Sequence, residues 1–137
     1  MTSVWQSLKG HQEQRSLFER SLNHGRLSHA YVLTGPDGLV EWVNPAFTAM
    51  CGYEPGELLG KKPGSILQGK LTDEAAVLRI REALRDRRPC TEALVNYHKN
   101  GTPYWVSVNI TPVHDDAGGL LCFIARELEL TERAVAA

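Results

Sequence analysis

The sequence predicts an α+β fold: a five-stranded antiparallel sheet, short helices on one of its faces, and a helical extension at the N-terminus. Three observations carry this. Gly35-Pro36-Asp37-Gly38 separates two short apolar runs, which is the signal of a tight hairpin. The stretch from Asn44 to about Arg85 is helical in character but crowded at first with Pro and Gly, so it holds short helical turns before one longer helix. Three strand-like runs close the chain, joined by Asn100-Gly101 and by Asp115-Asp116-Ala117-Gly118-Gly119. Two strands, a helical excursion and a three-stranded meander imply one antiparallel sheet with helices covering one face.

Taken in order, residues 3–24 read as helix. Ser3 with Gln6 forms a capping-box pattern, Gly10 weakens the middle, and Leu17, Phe18 and Leu22 recur at helical spacing before Gly25. His29–Thr34 and Leu39–Val43 are the hairpin strands. Asn44 suits a helix N-cap and Pro45 the first helical position, and Gly52 ends that helix. Pro55, Gly56, Gly60, Pro63, Gly64 and Gly69 forbid a long element over 53–71. Thr72 or Asp73 caps a helix running to about Arg85, with Val77, Ile80, Ala83 and Leu84 on its buried side. The last three strands are Thr91–His98, Tyr104–Val113 and Leu120–Leu128. Residues 1–24 thus form an extension suited to capping or dimerisation, 25–130 the domain itself, and 131–137 an exit segment.

The bulk properties exclude several classes. The 137 residues suffice for one core without staples, and a net charge of −1 argues against a nucleic-acid or anionic-membrane partner. Cys51, Cys90 and Cys122 form no close pair and no CxxC, so a structural metal site is not expected. A sparse, odd cysteine count with no signal-peptide pattern at the start points to the cytoplasm, and no apolar run reaches membrane-spanning length. A nucleophile elbow, a P-loop and HExxH are all missing, so the chain is not expected to be an enzyme.

Strand alternation sorts the sheet residues. Tyr104, Val106, Val108 and Ile110 share one side; Trp105, Ser107, Asn109 and Thr111 share the other. The same alternation points Asn96 and Glu127 inward, where a buried amide and carboxylate need partners. Those partners are a polar ligand, each other, a backbone group or water. Trp105 with Ala93, Val95, Tyr97, Ile124 and Leu128 makes an apolar outer face that the N-terminal stripe could cover, in its own protomer or in a second one. A homodimer is the expected assembly.

Trp42-Val43-Asn44-Pro45-Ala46-Phe47 with Gly52-Tyr53, the run Asn96-Tyr97-His98-Lys99-Asn100-Gly101-Thr102-Pro103-Tyr104-Trp105, and Leu130-Thr131-Glu132-Arg133 together resemble the PAS domain superfamily over roughly residues 17–133. Leu67-Gln68-Gly69 followed by Thr72-Asp73 and Ile80-Arg81 resembles the LOV branch, whose members bind FMN and form a light-driven cysteine adduct. That resemblance implies a flavin, FMN or FAD, as cofactor, and similar cysteine-free PAS domains occur in bacterial sensors. It places Gln68 against the ring, Asn96 at the ring's polar edge and Arg81 at the phosphate. Glu127 stands where the LOV pattern has a signal-relaying Gln. Gly64 takes the position of the reactive cysteine, Pro63 and Ser65 replace its Asn and Arg neighbours, and Val106 replaces a second ring-contacting Asn. An adduct at that position is therefore not expected. Heme is disfavoured, because no His lies between Asp73 and Arg85. Two readings stay open: a sensory module whose pocket occupancy alters dimer or helix packing, and a ligand-free dimerisation module. No effector sequence follows Arg133, so the output is expected in trans or from a longer protein.

Overall fold

A computed structural model describes residues 29–130; the expectations for 1–24 and 131–137 lie outside them. The hairpin is β1 (Ala30–Thr34) and β2 (Val40–Val43). Four helices follow: α1 (Pro45–Cys51), α2 (Pro55–Leu58), α3 (Pro63–Leu67) and α4 (Glu74–Arg85). The meander is β3 (Cys90–Tyr97), β4 (Pro103–His114) and β5 (Leu120–Glu129).

The strands form one antiparallel sheet in the order β2-β1-β5-β4-β3. The first strand therefore docks beside the last, with Ala30 opposite Glu127 and Thr34 opposite Phe123. This closure places the N-terminal hairpin and the meander on one continuous inner face. That face carries Val32, Leu94, Val106, Val108, Ile110, Phe123 and Ala125, all buried in one cluster with Phe47, Leu58, Leu67 and Ala76 of the helical side. The helices cover this face of the five-stranded sheet, as the α+β reading required.

The helix ends obey local chemistry. The Asn44 side-chain carbonyl accepts from the Phe47 N–H at 3.0 Å, capping α1, and also from the Tyr31 N–H at 2.9 Å. One side chain thus starts a helix and ties it to β1. Gly52 closes α1 with φ at +82°, a left-handed conformation that suits Gly. Asp73 caps α4 by accepting from the Ala75 N–H. A forked ion pair of Arg79 with Glu92, at 2.9–3.1 Å, pins α4 across β3.

The outer face needs one correction. Trp105 and Leu128 are 41% and 43% exposed, and Val95 stands opposite Trp105 on the same face but is buried. Tyr97 does not contribute a free apolar surface. Its ring lies against Gly69, and its hydroxyl accepts from the Leu71 N–H at 2.8 Å. β3 ends the sheet, so a long side chain there can reach round the edge to the helical side. On α4, Ala83 is buried as its spacing predicts, and Ala76 joins it. Val77, Ile80 and Leu84 stay only half buried because they face a cavity rather than filling the core.

Candidate ligand-binding site

Between the helices and the inner sheet face lies a cavity of about 640 Å³, within the usual range of roughly 300–1,000 Å³ for small-molecule sites. Its sheet wall is Val32, Leu94, Val108, Ile110, Phe123 and Ala125. Its helical wall is Leu67, Val77, Ile80 and Leu84. The walls are therefore apolar, and the polar groups among them stand out.

All four residues singled out from the sequence, Gln68, Arg81, Asn96 and Glu127, line this one cavity. Each is placed by a different element. Asn96 sits on β3 opposite Tyr104 and is 4% exposed. Glu127 sits on β5 between Ala30 and Val108 and is also 4% exposed. Gln68 follows the last turn of α3, its N–H donating to the Gly64 carbonyl at 3.2 Å.

The chain just beyond Gln68 is clamped. The Thr72 hydroxyl accepts from the Gly69 N–H at 3.0 Å and donates to the Val95 carbonyl at 2.6 Å. A Cβ at Gly69 would stand 2.5 Å from the Tyr97 ring, so Gly is required there by close approach. Gln68 is thus held against β3 by its neighbours.

Arg81 is exposed at the helical side of the cavity, and Arg85, four residues on, lines it too. Lys62 adds a third cation, and Asp37 of the hairpin turn an anion. Arg85 and Lys62 were not singled out from the sequence. The i, i+4 spacing from Arg81 was the available signal for Arg85; nothing local marked Lys62, which arrives through the fold of the 59–63 loop.

The electrostatics centre on Glu127. Its Oε1 is buried without a hydrogen-bond partner among the described residues. Burial pushes its pKa up to about 7. Mutual satisfaction of Asn96 and Glu127, one of the readings open from the sequence, therefore does not hold for this oxygen. Two groups sense its charge. The Tyr104 pKa is raised, first by burial and then by Glu127, while the Asn96 amide beside it pulls the other way. The Tyr104 hydroxyl is itself buried without a partner in hydrogen-bond geometry. Burial likewise raises the Cys51 thiol, with Glu127 adding to it.

None of the three cysteines lines the cavity. Cys51 is buried on α1, Cys90 is partly buried at the start of β3, and Cys122 is buried with Leu33 in a separate apolar cluster. Gly64 does line it, in the place considered above for a reactive cysteine. Among the described residues, no group of His, Cys, Asp and Glu could hold a metal ion, and no helix is long and apolar enough to cross a membrane.

With this geometry in place, the comparisons are decisive. The family profile described as PAS domain matches residues 28–129. The chain belongs to the PAS domain family. This PAS domain is 36% identical over 99 residues to phototropin-2 of Oryza sativa subsp. japonica, a match covering 72% of the chain and 11% of the phototropin. It is 36% identical over 96 residues to a blue-light-activated histidine kinase of Brucella ovis, covering 70% of the chain and 19% of the kinase. It therefore spans only a tenth to a fifth of these relatives. Among solved structures it is similar to the light-state LOV domain of the blue-light photoreceptor Aureochrome1, with TM-score 0.72 and 26% identity, covering 75% of this chain and 82% of that one. A Light-Oxygen-Voltage domain studied with a flavin analogue gives TM-score 0.78 at 25% identity, covering 88% and 90%. Within the PAS family the similarity is thus to LOV domains.

What the site of this PAS domain can do follows from its groups. Two amides and a carboxyl, set in apolar walls, can read the polar edge of a flat ring with directional hydrogen bonds. The cations Arg81, Arg85 and Lys62 can receive an anionic tail.

Proposed function

We propose that the chain is a sensory module that binds a flavin, FMN or FAD, in this cavity and passes the ligand's state to an effector through dimer or helix packing. The observation that carries the proposal is the convergence of Gln68, Asn96 and Glu127 on one apolar-walled cavity, with Glu127 Oε1 lacking any partner among the described residues. The residues fit the group. Asn96 and Gln68 would hold the ring edge, Arg81 with Arg85 and Lys62 would receive the phosphate, and the bound flavin would supply absorption and redox chemistry. Supporting this, the relatives are a phototropin and a blue-light-activated histidine kinase, and one solved neighbour was studied with a flavin analogue. We read the module as non-catalytic. The kinase is matched over 19% of its length, so its activity is not carried over. The effector, in cis or in trans, is of the kind such sensors control, and the setting is the cytoplasm.

The exposed Trp105 and Leu128 favour a second contribution, association of two copies through the outer face. On the alternative reading the chain does this with no ligand at all.

The test is titration of the purified full chain with FMN, followed by gel filtration and an absorbance spectrum. Flavin should co-elute with the protein. Asn96→Ala should weaken binding by roughly tenfold, the worth of a hydrogen bond of about 1–1.5 kcal/mol. Failure of the wild type to retain FMN or FAD would leave the ligand-free dimerisation reading. Retention with equal affinity in Asn96→Ala would overturn the assignment of the pocket.

A further inference from the structure

We infer that Glu127 makes occupancy of the cavity depend on protonation: as a carboxylic acid it donates a hydrogen bond to an acceptor atom on the ligand's ring edge, and as a carboxylate it rejects that ligand. This rests on the flavin reading above and deepens it by naming what the deepest polar contact selects.

The geometry comes first. Glu127 is 4% exposed, lines the cavity, and has no donor to its Oε1 among the described residues. Among the described residues no Lys, Arg or His forms an ion pair with it, although Arg81, Arg85 and Lys62 line the same cavity. A buried carboxylate in this setting has neither countercharge nor donor, so its neutral form is the favoured one. A neutral acid has one O–H to give. Its cross-strand neighbours, Ala30 and Val108, carry no side-chain acceptor. The remaining direction is into the cavity. A ring nitrogen or carbonyl there completes the hydrogen bond, whereas the same atom facing a carboxylate meets lone pair against lone pair.

The surrounding titratable groups do not supply an alternative. Cys51 on α1 and Tyr104 on β4 both feel the charge of Glu127, and burial raises both, so they stay neutral through the neutral range. Asn96 on β3 does not titrate. The other charged groups lining the cavity are Arg81 and Arg85 on α4, Lys62 before α3 and Asp37 in the hairpin turn, and they are the same in wild type and in Glu127 variants. At the end of the sheet, His98 stacks on Tyr104 and lies 3.7 Å from Glu129. This pair too is common to wild type and the Glu127 variants.

The probe is riboflavin, which carries the ring without a titrating phosphate. Its affinity for the full chain is measured by fluorescence quenching from about pH 5.5 to about pH 9, alongside Glu127→Gln and Glu127→Leu. Wild-type affinity should fall with rising pH, approaching about tenfold per pH unit once the carboxyl ionises. Glu127→Gln keeps a donor that cannot ionise, so it should bind with a flat profile. Glu127→Leu should be flat and weaker. Equal pH slopes in wild type and Glu127→Gln would overturn the inference while leaving the flavin reading intact. A wild-type affinity that rises with pH would also overturn it, by placing a donor opposite Glu127. Riboflavin binding by none of the three proteins at any pH, in a chain that retains FMN, would overturn the role of Glu127, and retention of neither riboflavin nor FMN would remove the flavin reading with it.

Discussion

Glu127 also bears on the protein without ligand. In an unfolded chain a Glu ionises near its ordinary value of 4.5, but in the folded chain burial holds it protonated to about pH 7. The folded state binds the extra proton between these values, so stability falls as pH rises through that window and levels off above it. Glu127→Gln removes this loss. The variant should gain on the order of 3 kcal/mol over wild type at about pH 8, and nothing at about pH 4. Urea unfolding at the two pH values measures it; parallel pH dependence in both proteins would refute the burial of this carboxyl. Gly64 makes the complementary case of a group that is missing. It lines the cavity, whereas Cys51, Cys90 and Cys122 do not. Illumination of flavin-loaded protein should therefore give no reversible loss of flavin absorbance through a thiol adduct, and the appearance of such an adduct would show that one of these thiols reaches the ring.

Among the elements, the 68–72 link between α3 and α4 is the one on which the site depends most. The Thr72 hydroxyl closes the link on itself by accepting from the Gly69 N–H and ties it to the edge strand by donating to the Val95 carbonyl, and Tyr97 seats its ring on Gly69. Thr72→Val removes both bonds and leaves the buried Val95 carbonyl without that donor, a loss of about 1–3 kcal/mol in unfolding free energy. Gly69→Ala must displace the Tyr97 ring, because the new Cβ would stand 2.5 Å from it. Both variants should weaken flavin binding beyond what their stability loss explains, since Gln68 moves with this link. Normal affinity in a destabilised Thr72→Val protein would detach Gln68 from the site. Along the helical side the sequence marked the caps well, with Asn44 and Gly52 at the two ends of α1 and Asp73 at the start of α4. Local rules reach that far because capping and turn formation involve residues only a few positions apart. The clamp joins Thr72 to Val95 and Leu71 to Tyr97, and no local pattern announces a contact between positions so far apart.

At the scale of the whole molecule, the outer sheet face decides assembly. Trp105 and Leu128 leave apolar surface in water, worth about 25 cal/mol for each Å² covered. A homodimer using this face and residues 1–24 is expected. Light scattering on the full chain should report a dimer at tens of micromolar, and removal of residues 1–24 should shift it to monomer. A monomeric full chain would exclude the dimer, and an unchanged dimer after truncation would assign it to the sheet alone. The face also neighbours the site: on β5, Glu127 points inward between Arg126 and Leu128, which point outward. A change of hydrogen bonding at Glu127 therefore acts on the strand that carries the outer surface.

By itself the sequence determined the kinds of element, the caps of α1 and α4, and the inward sense of Asn96 and Glu127, while the resemblance to LOV domains supplied Gln68 and Arg81. Periodicity, caps and turns are local, and alternation assigns a face to each residue without reference to its partners. The tertiary structure alone decided that β1 lies beside β5, which brings Glu127 opposite Ala30 and closes the cavity wall. It also decided that Tyr97 serves the loop rather than the outer face, that Lys62 and Arg85 join Arg81 around one opening, and that Glu127 is left with an unpartnered oxygen. Each of these depends on which distant segments meet, and that is set by how the whole chain packs its apolar faces together, not by any short stretch of it.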